Sequence, residues 1–193
     1  MAQWTGSDDA YRYGEELLVG DRVRLRATRE DDLPVLADWY NRPEWGVLQQ
    51  VRVQPLPQAD VIEQIRTWSG SKDGSGAGFS IELVATQQLI GHTSLWGARM
   101  PARAATFAIM LGPQFASQGY GPEAARLMVG YGFRELGLNR IGLSTWAYNS
   151  RAVRAYEKAG FVVEGRRRDV VFHDGAFHDE ILMGILAEEF FGS

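Results

Sequence analysis

The hydrophobic and polar positions of the chain follow two periods, and each period predicts one kind of element. Strict alternation in 22–27 places Val23 and Leu25 on one face and arginines on the other, as in a half-buried strand. Apolar residues recur three and four positions apart in 33–40, 61–68 and 124–131, which predicts amphipathic helices. Short apolar runs predict further strands over 79–85, 89–96, 106–111 and 141–147.

Glycine and proline predict where these elements end. Pro122 suits the first turn of a helix over 122–135, and Ser150 is a predicted N-cap for a helix that runs to 158 and ends at Gly160. The segment 41–57 contains three prolines and predicts a loop or a broken element, whereas 69–78 predicts a flexible glycine-rich loop. Two short strand segments, 161–163 and 170–172, are predicted to face a last strand, 176–186, across a tight turn at Asp174-Gly175.

The order of elements predicts one mixed α/β (α+β) domain over 20–193, preceded by an extension over 1–19. In this order the glycine loop at 112–121 separates the fourth strand from the third helix. The 193 residues are enough for one sizeable core.

Composition excludes several classes of protein. The chain has no cysteine, so it has no disulfide scaffold, thiolate metal site or cysteine nucleophile. Its formal net charge is −4, which argues against a general nucleic-acid binder. No apolar run approaches the roughly 20 residues that span a bilayer, so we expect a cytoplasmic protein without a membrane partner. His173 and His178 lack an obvious third ligand, and no metal is expected.

The most informative segment is 111–124, where a strand gives way to a helix through Gly119 and Gly121. Backbone amides at a helix start attract phosphate, although an ordinary glycine-rich turn has the same composition. The spacing Gly119-x-Gly121-x-x-Ala124 also matches a dinucleotide fingerprint, but that motif should follow its strand at once and lie near the start of a βαβ unit.

A second segment, Asn149-Ser150-Arg151-Ala152-Val153-Arg154-Ala155-Tyr156-Glu157-Lys158-Ala159-Gly160-Phe161, follows about 30 residues later. Together the two segments resemble the GNAT superfamily of N-acetyltransferases, over about 20–189. The beginning at 20–26 and the end at 174–180 resemble the branch that acetylates the N-terminal alanine or serine of ribosomal proteins, together with its small-molecule relatives. The resemblance implies a mostly antiparallel central sheet flanked by helices.

The resemblance also implies roles for particular residues, with acetyl-CoA as cosubstrate. Backbone groups of the strand end would face pantetheine, the glycine loop would hold the pyrophosphate, and Asn149 would hold the coenzyme arm near the thioester. Tyr156 would lie close to sulfur and donate its proton to the thiolate, and Lys158 would approach a coenzyme phosphate. The implied strand and loop residues are Ile109, Met110, Leu111, Gln118, Gly119, Tyr120 and Gly121.

Two departures from the family pattern concern phosphate binding and the general base. Ala116 stands where Arg or Gln is usual, and Thr106 or a neighbour stands where the branch often has Glu. The remaining candidates for a base are Glu82, His92, His178, Asp179 and Glu180, and a water relay is an equal alternative.

We therefore expect direct transfer of acetyl from acetyl-CoA to a primary amine, because a chain without cysteine forms no thiol-linked acyl-enzyme. The acceptor is a protein N-terminus or a small molecule such as an antibiotic or polyamine. A CoA-binding sensor without catalysis is the alternative of another class. The family resemblance also makes a homodimer an expectation.

Overall fold

The computed structural model describes residues 4–70 and 74–192, which contain one seven-stranded sheet in the order β1-β2-β3-β4-β5-β7-β6. The strands are β1 (Val23–Arg26), β2 (Ala77–Leu83), β3 (Leu89–Arg99), β4 (Ala104–Leu111), β5 (Arg140–Trp146), β6 (Val162–His173) and β7 (Ala176–Leu186). The helices are α1 (Ser7–Glu16), α2 (Asp32–Tyr40), α3 (Pro43–Gln49), α4 (Gln58–Ser69), α5 (Tyr120–Arg134), α6 (Ser150–Ala159) and α7 (Ala187–Gly192), with a 3₁₀ turn at Pro113–Phe115.

The sheet is antiparallel except at its centre, where β4 and β5 run parallel. These two strands pair only where Ala104, Ala105 and Thr106 lie beside Arg140, Ile141 and Gly142. Beyond Thr106 no further pairs join them in the described part of the chain. The strands therefore separate, and the end of β4 has an open edge inside the sheet.

Helices cover both faces of the sheet, as the alternation along β2 shows. The Phe79 ring lies 5.1 Å from the ring of Tyr131 on α5, whereas Ser80 Oγ donates to Asp32 Oδ2 of α2 on the opposite face. On the other face, α5 packs closely on the sheet at Gly132, because a Cβ at this position would lie only 2.7 and 2.9 Å from side-chain atoms of Leu95 and Ile141. Buried apolar residues fill the space between the sheet and the helices on both faces, so β4 is covered by helices on each face.

The predicted fold class is confirmed, with four corrections of detail. The segment 41–57 contains α3, because Pro43 starts a helix at its first turn rather than breaking it. With α1 and α3 included, the glycine loop precedes the fifth helix rather than the third. β6 is continuous over twelve residues because bulges near Gly165 and between Arg167 and Val171 keep it paired to β7. Asn149, rather than Ser150, is the N-cap of α6.

The predicted flexible loop over 69–78 is only partly described. Ser69 ends α4, Ala77 starts β2, and residues 71–73 lie outside the described residues. In the part of the chain that the structure describes, no helix has the length and apolarity to cross a membrane.

Candidate active site

The open edge of β4 borders a cavity of about 500 Å³, which we call the β4–β5 cleft. Ile109 and Leu111 form its floor, and the glycine loop and α6 form its sides. Alternate residues of a strand direct their backbone groups to opposite neighbours. The amide of Gly112 donates to the Ile90 carbonyl of β3, so by alternation Met110 also directs its backbone groups to β3, whereas those of Ile109 and Leu111 are directed toward β5 and the cleft.

Side chains of α3 already reach this edge of β4. Gln49 Nε2 donates to the Ile109 carbonyl and Trp45 Nε1 donates to the Leu111 carbonyl, both at 3.3 Å. A carbonyl oxygen has two lone pairs, so each can accept a second hydrogen bond. The predicted pantetheine-facing residues thus divide: Ile109 and Leu111 line the cleft, while the buried Met110 lines a cavity on the other face.

The glycine loop leaves the start of α5 open toward the cleft. Gly119 adopts φ +85°, in the left-handed region that favours glycine, and α5 begins at the next residue. No side chain of the described residues caps this helix start, so the backbone amides of Tyr120 and Gly121 have no side-chain partner. Such amides at the positive end of a helix dipole fit a phosphate group.

Arg22 holds the loop in place from outside. Its Nη1 donates to the Gln118 carbonyl at 3.0 Å, and its guanidinium lies 4.3 Å from the centre of the Tyr120 ring. Glu123 on the first turn of α5 accepts from the backbone amides of Arg22 and Val23 at 2.8 and 3.2 Å. These contacts tie the loop to β1, so its backbone is preorganised before any ligand binds.

Helix α6 brings positive charge to the cleft. The Asn149 side chain accepts from the Ala152 amide at 3.2 Å and is buried in the cleft wall, so it orients the first turn of the helix. Arg151, Arg154 and Lys158 line the cleft with exposed side chains. The two arginines were missed in the sequence, although spacings of three and four residues place all three cations on one helix face.

Tyr156 lies on the same helix and points its phenol into the cleft. Its ring packs edge-on against Phe107 and Phe161 at centroid distances of 6.1 and 6.0 Å. Within residues 4–70 and 74–192 its hydroxyl has no hydrogen-bond partner. Burial raises the pKa of Tyr156 to about 12, so the phenol stays protonated at neutral pH and is free to donate.

A second cavity of about 600 Å³ lies on the α2–α4 face of the sheet, and we call it the aromatic cavity. It shares Trp45, Gln49 and Ile109 with the β4–β5 cleft, so the two spaces adjoin at the open end of β4. Tyr40, Trp68 and Trp96 add aromatic surface, and the Tyr40 ring lies 5.9 and 5.8 Å from the rings of Trp45 and Trp68.

His92 is a polar group in the wall of the aromatic cavity. Its Nε2 lies 2.8 Å from Ser69 Oγ, and further hydroxyl contacts lead through Thr28 and Ser80 to the Asp32 carboxylate. A carboxylate only accepts hydrogen bonds, so Ser80 donates to Asp32, and the Thr28 and Ser69 hydroxyls can each donate to the next hydroxyl in the direction of Asp32. His92 then donates from Nε2 to Ser69. Burial lowers the pKa of His92 to about 4, so its imidazole is neutral at pH 7.

The other four candidates for a general base lie away from both cavities in the described structure. Glu82 is buried and held by ion pairs to Arg24 and Arg26. Burial alone would raise its pKa, but the hydrogen bonds from both arginines outweigh burial and leave the pKa low. Asp179 is paired with Arg166 at 2.5 Å.

The remaining two candidates, His178 and Glu180, lie on β7. His178 Nε2 contacts the His173 carbonyl at 3.3 Å, and the buried Glu180 lies 3.3 Å from Arg167. Of the five candidates, His92 alone lines one of the two cavities among the described residues.

Comparison with known proteins agrees with this geometry. Residues 22–162 match the family model described as an acetyltransferase (GNAT) domain. The chain belongs to the GNAT acetyltransferase family. It is therefore an acetyl-CoA-dependent N-acetyltransferase by family, and the predicted transferase class and cosubstrate are confirmed.

Relatives of the GNAT chain include enzymes with a small-molecule acceptor. Spermidine N(1)-acetyltransferase of Escherichia coli K12 is 33% identical over 179 residues, covering 87% of this chain and 88% of that protein. The structure of spermidine N-acetyltransferase from Vibrio cholerae in complex with CoA and spermine superposes with a TM-score of 0.77 at 26% identity, covering 88% and 98% of the two chains. YdaF of Bacillus subtilis, named as a candidate ribosomal N-acetyltransferase, is 29% identical over 115 residues, or 60% and 63% of the chains.

Proposed function

We propose that the chain acetylates the primary amine of a small molecule, with acetyl-CoA in the β4–β5 cleft and the amine in the aromatic cavity. The observation that carries the proposal is that these cavities adjoin at the open end of β4, at Trp45, Gln49 and Ile109. An acetyl group bound at this point would be within reach of both spaces. The polyamine acceptors of the relatives support a small molecule over a protein N-terminus.

The residues of the cleft fit the coenzyme in their chemistry. The uncapped amides at Tyr120 and Gly121 can bind the pyrophosphate, and Arg151, Arg154 and Lys158 can balance its negative charge. The backbone edge at Ile109 and Leu111 can pair with the amides of the pantetheine arm. These groups can bind the coenzyme without the phosphate-binding side chain that the family usually has at the position of Ala116.

The coenzyme supplies the acetyl thioester, and the chain's own groups position it. The amine nitrogen forms a bond to the acetyl carbon, the carbon–sulfur bond breaks, and in the net reaction the proton lost by nitrogen is balanced by the proton that the thiolate gains to become a free thiol. Asn149 fixes the start of α6, and this helix aims Tyr156 at the cleft. The Tyr156 phenol donates a hydrogen bond to the departing sulfur. The aromatic cavity favours the neutral form of the amine, because burial disfavours a cation, and the neutral amine is the nucleophile.

The test is acetyl transfer by the purified full-length chain. We expect a thiol released and one acetyl group gained, by mass spectrometry, for some member of a panel of small primary amines. Acetyl-pantetheine, which lacks the phosphates, should be used less well than acetyl-CoA. Arg154→Ala should reduce that preference, and Arg12→Ala on α1 is the matched control. CoA binding without turnover of any amine would contradict the proposal and favour a sensor.

A further inference from the structure

The lining of the aromatic cavity bears on the kind of amine that the cavity can accept. Among the described residues no Asp, Glu, Lys or Arg lines it. Its wall consists of tryptophan and tyrosine rings, the apolar side chain of Met110, and small neutral polar groups. Glu44, the acidic residue of α3, lines the β4–β5 cleft instead.

Two carboxylates behind this face of the sheet, both among the described residues, are already engaged. Asp32 is buried and accepts from Arg26, from the Arg29 amide and from Ser80. Glu82 is held by Arg24 and Arg26. Neither carboxylate is available to a cation in the cavity, and what connects Asp32 to the cavity is a chain of neutral hydroxyls ending at His92.

From this lining we infer that the acceptor is a monoamine with an apolar, preferably aromatic, body and not a polyamine. The inference rests on the proposed function and names the substrate class of the same site. A polyamine carries further ammonium groups besides the reacting one, and burying each without a counter-charge is costly. Aromatic faces attract one cation by about 0.5–2 kcal/mol, which does not offset several unpaired charges.

The reacting nitrogen gains from the same lining. The described part of the wall has no charged side chain and is largely apolar, which disfavours the ammonium form and so raises the fraction of neutral amine that can attack. His92 Nε2 is engaged with Ser69, and its second ring nitrogen has no partner among the residues that the structure describes. In the neutral ring that nitrogen is an acceptor, which suits an N–H of the bound amine.

The experiment compares kcat/KM for arylalkyl monoamines, such as phenethylamine and tyramine, with kcat/KM for spermidine and spermine. We expect the best monoamine to exceed both polyamines by at least about a hundredfold. Equal or better turnover of spermidine would overturn the inference and leave the proposed function intact. No turnover of any amine would instead overturn the proposed function.

A variant tests whether the lining decides the preference. Trp96 lies at the rim of the aromatic cavity and is 48% exposed, so Trp96→Glu introduces a carboxylate without disturbing the core. We expect it to reduce the ratio of monoamine to spermidine kcat/KM by about tenfold or more. Trp4→Glu is the matched control, because Trp4 is 57% exposed and lies outside both cavities. An unchanged ratio in Trp96→Glu, or an equal change in Trp4→Glu, would overturn the inference.

Discussion

Replacing Tyr156 by Phe isolates the contribution of one hydroxyl to acetyl transfer. The hydroxyl has no partner in the described structure, and both ring contacts are retained in Phe. The free energy of unfolding should therefore change by less than about 0.5 kcal/mol. A change in kcat would then come from the loss of the hydroxyl in the reaction and not from loss of folded protein.

The size of the effect follows from the pKa. A phenol of pKa about 12 facing a thiolate whose conjugate acid has a pKa of ~8.5 would transfer its proton uphill by about 5 kcal/mol. We expect Tyr156 to act chiefly by a hydrogen bond to the developing charge, which contributes about 1.5–3 kcal/mol. Tyr156→Phe should thus lower kcat by roughly 10- to 100-fold and leave the affinity for acetyl-CoA within about twofold.

Steady-state thiol release measured from pH 6 to pH 10, with Tyr131→Phe on α5 as the control, checks this reasoning. Because the phenol stays protonated throughout, wild type and Tyr156→Phe should have the same pH profile, displaced in rate. A change in kcat of less than twofold would refute a role for the hydroxyl. A fall in wild-type rate below pH 10 that disappears in the variant would refute the high pKa.

Three further predictions concern the loop, the buried ion pairs and the histidine. Gly119→Ala should weaken CoA binding by about tenfold in calorimetry, because an L-residue at φ +85° costs about 1–2 kcal/mol, whereas Gly137→Ala at φ +61° should leave binding unchanged. Glu82→Gln should lower the free energy of unfolding by about 3–5 kcal/mol in urea, because it removes one of the two carboxylates that pair with the partly buried Arg26; a loss under 1 kcal/mol would contradict this expectation. His92 stays neutral in the folded chain down to about pH 4, whereas the unfolded chain takes up this proton near pH 6.5. The free energy of unfolding should therefore fall by about 3 kcal/mol as the pH is lowered from 6.5 to 4. In His92→Asn the free energy of unfolding should depend less steeply on pH over this range.

The coenzyme side could be predicted from the sequence because its chemistry is local. The glycine loop, the strand before it and the helix with Asn149 and Tyr156 are each continuous in the chain, and their residue types determine their conformations. The N-cap is Asn149 and not the predicted Ser150, because serine and asparagine are equally good caps by residue type. Only the structure shows which side chain accepts from Ala152.

Residue type alone suggests aromatic residues such as Trp45 for the acceptor side, but their arrangement could not be predicted because the cavity is assembled from distant segments. Trp45 lies in a segment that three prolines made a predicted loop, yet it is part of α3 and joins the two cavities. Glu82 is a candidate base by residue type, but Arg24 and Arg26 on the neighbouring strand β1 already hold its carboxylate. Pairing between β1 and β2 joins residues more than fifty positions apart, and no periodicity in the sequence encodes it.

Direct transfer of acetyl between two adjoining cavities can be tested by initial-rate kinetics. Acetyl-CoA and the best amine of the panel are varied together, and thiol release is recorded. Direct attack in a ternary complex predicts double-reciprocal lines that intersect, and no acetylated protein in the absence of amine. Parallel lines, with an acetyl group found on the chain by mass spectrometry, would contradict the account.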